Sequence, residues 1–162
     1  MQYIPTICFP SEISPLNLCI LPTHRDIFDK TGEVCAGMDY LWIGLGGFAG
    51  ANARYVLGRA IMSRTDSPFP YGTFVINVTG SLLIGILLTL LTERWVADPA
   101  WRLIIVIGFL GGYTTFSSYS FEAIRLFQDG QSWRALTYIF GSNIVGLLAC
   151  YVGIVLAREV GG

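Results

Sequence analysis

The chain is short of charge. Of its 162 residues only 13% are Asp, Glu, Lys or Arg, while 53% are hydrophobic; an ordinary soluble domain carries about 25% charged residues. A freely soluble globule does not fit that balance. Ten Lys and Arg nearly offset eleven Asp and Glu, and Lys30 is the single lysine. Neither a nucleic-acid surface nor a polybasic membrane anchor has the cations it needs. His24 is the only histidine, so a histidine metal cluster or a Ser-His-Asp arrangement has no material and no enzyme is expected. Cys8, Cys19, Cys35 and Cys150 lack the spacing of a zinc knuckle or a thioredoxin-like pair and read as ordinary thiols.

What the chain does have is long uncharged runs. Residues 1 to 37 are different, with Pro5, Pro10, Pro15 and Pro22 among charged residues, and their one apolar stretch, Leu18 to Leu21, is too short for a signal-peptide core. This part reads as a poorly ordered extension, and residues 38 to 162 as a membrane domain, with Met38 a candidate native start. Tyr71 to Thr92, Leu103 to Phe121 and Ala135 to Ala157 hold 22, 19 and 23 residues without a charge, and about 20 suffice to cross a bilayer as a helix. A fourth segment runs from Tyr40 to Met62, interrupted by Arg54 and Arg59. The fold class expected is therefore all-α, with four transmembrane helices per subunit. Turn material separates them at residues 63 to 70, at 93 to 102 with Asp98-Pro99, and at 122 to 134 with Asp129-Gly130.

Cation placement gives no orientation. The side with the N-terminus, the second loop and the C-terminus has Arg25, Lys30, Arg94, Arg102 and Arg158. The other has Arg59, Arg64, Arg125 and Arg134, with Arg54 close by. Without a positive-inside bias the chain can insert both ways up, and two opposed copies would pair about a two-fold axis in the membrane plane. The alternative is a single orientation set by other features. Most of the 19 glycines lie in the apolar part. Gly46-Gly50 and Gly108-Gly112 have the spacing that lets helix backbones touch in lipid, which points to assembly.

The third segment carries Gly108-Phe109-Leu110-Gly111-Gly112-Tyr113-Thr114-Thr115-Phe116-Ser117-Ser118-Tyr119-Ser120. Its midpoint, Gly112, is where weak helix formers cluster, so the helix is expected to break at mid-membrane. Broken helices line cavities, and their freed carbonyls bind cations such as Na⁺. The alternative for Gly111-Gly112 is a plain helix-crossing point. Phe116 and Tyr119 share a face, and ring edges, being partly positive, can line an anion's path; core packing is the other reading of such a pair. Asn77, Tyr138, Ser142 and Asn143 are neutral polar groups within the spans, and Tyr138 and Ser142 share a face. Glu122 stands at the edge of the third span, so no carboxylate is expected inside one. Arg54 reads as a snorkelling or loop-capping residue.

Gly46-Gly47-Phe48-Ala49-Gly50-Ala51-Asn52-Ala53-Arg54-Tyr55, the run Gly72 to Ser81 and above all Gly108 to Glu122 resemble the Fluc/CrcB family of fluoride channels, from about Met38 to Ala157. The resemblance implies an antiparallel dual-topology homodimer of four-helix subunits in the cell membrane. It also implies passive, selective conduction of F⁻ out of the cell and a structural Na⁺ at the dimer centre. Carried over by position, Gly111 and Thr114 supply carbonyls to Na⁺, Asn77 is a pore donor, and Phe116 and Tyr119 flank fluoride. Thr115, Glu122, Tyr138 and Ser142 belong to a polar track. Tyr119 departs from the usual phenylalanine, and Gly146 lacks a hydroxyl where some members have serine. The competing reading is a small dual-topology multidrug or cation antiporter, which needs an embedded carboxylate to couple to protons. A structural membrane subunit without transport is the third.

Overall fold

An uncharged run of this length can satisfy its backbone in lipid only as a helix or a closed barrel. In the computed structural model, which describes residues 36–94 and 99–159, every regular element among the described residues is helical. Helix α1 spans Ala36–Met62, α2 Tyr71–Thr89, α3 Phe116–Gln128 and α4 Ser132–Glu159. Helix α2 runs on into a π-wound segment, Leu90–Arg94. A short turn at Pro99–Trp101 leads into a second π-wound segment, Arg102–Leu110, and then into one α-turn, Gly111–Tyr113. The reading of residues 1 to 37 as an extension lies, up to residue 35, outside the described residues; α1 itself already begins at Ala36, two residues ahead of Met38.

Three helical segments are long and apolar enough to cross a membrane by length and composition: Tyr71–Glu93, Arg102–Gln128 and Ser132–Glu159. Helix α1, with 27 residues, has the length, but glycines, Asn52 and Arg54 dilute its apolar content. The third segment runs on to Gln128 instead of ending near Phe121. Glu122 therefore lies within a helix and not in a loop, because its carboxylate finds hydrogen-bond partners on two other helices. Only Asp129 to Gln131 separate α3 from α4. There Gly130, at φ 73°, ends the helix: its N–H donates to Phe127 O at 3.1 Å and that of Gln131 to Leu126 O at 2.9 Å. A left-handed residue at this point is the reason for glycine.

Helix α2 packs most extensively on α4, and α1 on the π-wound segment. Backbones meet at glycines in both contacts. A methyl group on Gly85 would strike the Cys150 carbonyl, and one on Gly153 the Leu82 carbonyl. Added at Gly108 it would lie 2.7 Å from Ile43 O, and at Gly112 2.7 Å from Gly47 O. The two glycine pairs expected to support assembly are thus used inside one subunit, to bring α1 against the third span. In lipid, where apolar burial does not drive helices together, such close packing is what holds them. At the other end Ala123, Leu126, Ala135 and Tyr138 form a buried cluster, with Phe69, Phe74, Tyr119 and Ile139 against it.

Candidate functional site

The third span breaks, two residues later than the glycines suggest. Gly111 to Tyr113 keep helical backbone, whereas Thr114 (φ −81°, ψ 159°) and Thr115 (φ −150°, ψ 118°) are extended. β-Branched residues favour that conformation, and Gly112 is committed to the contact with α1. Asn77 on α2 then acts as a strand partner would. Its Nδ2 donates to Thr115 O at 3.0 Å and its Oδ1 accepts from the Thr115 N–H at 2.9 Å. Thr115 Oγ1 caps α3 by accepting from the Ser118 N–H at 3.2 Å, a contact type worth about 1 kcal/mol. Arg54 reaches across from α1, its Nη1 3.4 Å from Thr114 O, so it caps the break. Tyr113, buried, pairs its hydroxyl with Thr79 Oγ1 at 2.8 Å and holds the other side of the break to α2.

Beyond the break a ladder of rings leads along α3 to α4. Phe116 and Tyr119 have centroids 5.7 Å apart, and Tyr119 and Tyr138 5.2 Å; Phe69 meets Tyr138 edge-on at 5.4 Å and 82°. Tyr138 is fully buried and its hydroxyl donates to Glu122 Oε2 at 2.8 Å. The other carboxylate oxygen accepts from Thr73 Oγ1 at 2.9 Å. Glu122 thereby joins three helices. Ser142, one turn along α4 from Tyr138, has a buried hydroxyl without a hydrogen-bond partner.

Six of the seven expected path residues are thus linked in space: Asn77 to Thr115, then Phe116, Tyr119, Tyr138 and Glu122 in sequence. Ser142 stands apart, with no bond to the others. Gly111 and Thr114 line one cavity of about 360 Å³ together with Asn77, Ser81, Thr115 and Phe116. Two participants were not expected, Thr73 and the Tyr113–Thr79 pair. Thr73 was findable, since it precedes Asn77 by four residues and so shares its face of α2. Tyr113–Thr79 has no such signal, because its partners are 34 residues apart. Replacing Tyr138 by phenylalanine leaves one half-buried Glu122 oxygen without its donor. We expect a loss of about 1–3 kcal/mol, read as a lower unfolding midpoint in detergent, with unchanged thermal stability as the result that would remove Tyr138 from this bond.

The sequence profile of the family described as CrcB-like protein, Camphor Resistance (CrcB), matches residues 41–154. The fluoride-specific ion channel FluC of Solibacter usitatus is 50% identical over 122 residues, covering 75% of this chain and 100% of that protein. Its namesake in Acidobacterium capsulatum is 48% identical over 123 residues, covering 76% and 98%. That of Koribacter versatilis is 45% identical over 122 residues, covering 75% and 97%. The stretch that the profile matches contains the threonine break, its asparagine clamp and the ring ladder, and the chain belongs to the CrcB-like family.

Proposed function

We propose that the protein is a fluoride channel of the cell membrane, passively conducting F⁻ along the ring ladder. The observation that carries this is the unpartnered, buried hydroxyl of Ser142, one helical turn from Tyr138 of the ladder, in a chain whose relatives are named fluoride-specific ion channels. Fluoride is small and strongly hydrated, so a conduit must replace its water with neutral donors and ring edges while binding weakly enough to release it. Asn77, with its second amide proton, and Ser142 supply donors, and Phe116 and Tyr119 supply edges, while Thr115, whose N–H and O–H are taken by Asn77 and Ser118, fixes the break. Glu122 has both oxygens engaged by Thr73 and Tyr138, and so holds the track's geometry.

Phe116 is 79% exposed in a single subunit, as a ring lining a path closed by a second copy would be. With the near-even arginine placement this supports an antiparallel homodimer of four-helix subunits, α1 serving as the remaining span. Gly111 and Thr114 fit a structural Na⁺ as half of a site. Each carbonyl oxygen has two lone pairs, so the Arg54 contact leaves Thr114 O able to face a cation, and a two-fold partner would double the set. Neutral carbonyls of broken helices suit Na⁺; when bound, the ion would tie the two subunits at their breaks.

The antiporter reading gains one feature, a carboxylate within a helical span. Its two fixed donors argue against the mobile proton carrier that coupling requires. The deciding experiment is fluoride efflux from liposomes holding the purified protein, without a proton gradient, followed by electrode. Flux well above empty liposomes is expected; none would overturn the channel, and flux only under a proton gradient would establish a transporter. Phe116→Ile is expected to cut that flux at least about tenfold with the oligomer intact, the equivalent of about 1.4 kcal/mol. Wild-type flux from the variant would remove the ring from the path.

A further inference from the structure

The ladder carries one polar atom that the path just described leaves without a task, the hydroxyl of Tyr119. It donates to the Ile139 carbonyl at 3.4 Å and accepts from Asn143 Nδ2 at 2.8 Å. The same Nδ2 donates to Ile139 O at 2.7 Å, so both amide protons of Asn143 are in use and the three groups close a triangle on α4. A contact of 3.4 Å is at the weak end for an O–H donor, whereas 2.8 Å is near the optimum. Asn143 is therefore what locates the phenol oxygen, and through it the ring, which lies at 43° to Phe116 and 53° to Tyr138.

The chemistry gives that tether a consequence. A phenol O–H is a strong neutral donor and fluoride a strong acceptor, so a free hydroxyl on the ladder would grip the ion, whereas conduction requires release. We propose that Asn143 is a positioning residue for conduction: it holds the Tyr119 hydroxyl on α4, so that the ring offers the anion its edge and not its O–H. This rests on the fluoride reading above. Asn143 acts through Tyr119, and without the hydroxyl it has nothing to hold.

A double-mutant cycle tests it, using the full chain in liposomes and fluoride as the probe. Asn143→Ala is expected to lower efflux about fivefold, the weight of one neutral hydrogen bond, and to make flux saturate at lower fluoride. In a Tyr119→Phe background, whose own efflux sets the reference, adding Asn143→Ala is expected to change nothing further. That rescue also shows that loss of Asn143 does not prevent folding. An equal loss in both backgrounds, or no loss in the tyrosine background, overturns the proposal. No efflux from the parent would instead overturn the fluoride reading. The tether is then judged by thermal unfolding of the same four proteins, where coupling between the two positions supports it and additivity removes it.

Discussion

Asn77→Asp is expected to abolish fluoride efflux while leaving a protein that elutes like the parent. Two effects act together. Asn77 donates to Thr115 O and accepts from its N–H; an aspartate keeps the acceptor and loses the donor, so a carboxylate oxygen is pressed against a carbonyl oxygen. Leaving that carbonyl unpaired costs about 1–3 kcal/mol. The larger effect is charge. Two like unit charges about 4 Å apart repel by about 4 kcal/mol at the effective dielectric near protein surfaces, enough to lower an anion's occupancy nearly a thousandfold. Efflux from reconstituted liposomes should fall to the level of empty ones. Rates like the parent's would put Asn77 outside the path and leave it only the clamp on Thr115.

Gly50→Val is expected to prevent the native packing of α1 altogether. A Cβ on Gly50 would collide with the carbonyl of Phe109 and come 2.9 Å from Tyr113 N. Both are backbone atoms of the third span just ahead of the break, so no side-chain rotation relieves the clash. Overpacking ordinarily costs about 1–3 kcal/mol, and a rigid backbone neighbour takes it beyond that, against a total stability of about 5–15 kcal/mol. The measurement is size-exclusion chromatography of the solubilised protein. Aggregate in place of the parent peak is expected, and a monodisperse peak with normal flux would show that α1 can sit elsewhere. Gly44, also on α1, is the internal control, since nothing lies within 4 Å of a Cβ there, and Gly44→Ala should elute normally.

The contrast between Gly111 and Gly112 shows how far local sequence reaches. The Gly-Gly pair looked like the weak point of the third span on helix propensity alone. Propensity ranks residues one at a time, and here contacts decide. Gly112 is consumed by α1, Gly111 stays in helical geometry, and the break falls on Thr114 and Thr115, whose extended backbone Asn77 secures from another helix. Glu122 shows the same limit. Charge patterning marks it as the edge of an apolar run, yet Thr73 and Tyr138, 49 and 16 residues away, make a place for it inside the helix.

Apolar run length, scarcity of charge and the Gly108 to Glu122 motif were enough, by themselves, for the membrane-type helical class, the turn at Asp129-Gly130, the family and most of the residues linked from Asn77 to Glu122. Each is a property of consecutive residues: a helix needs about 20 apolar positions, a left-handed turn needs its glycine. The tertiary structure alone decided where the third span opens, which glycines carry the α1 contact, what occupies Glu122, and that Asn143 restrains the Tyr119 ring. All of these are hydrogen bonds or backbone contacts between helices, joining residues too far apart in the chain for any periodicity to announce them.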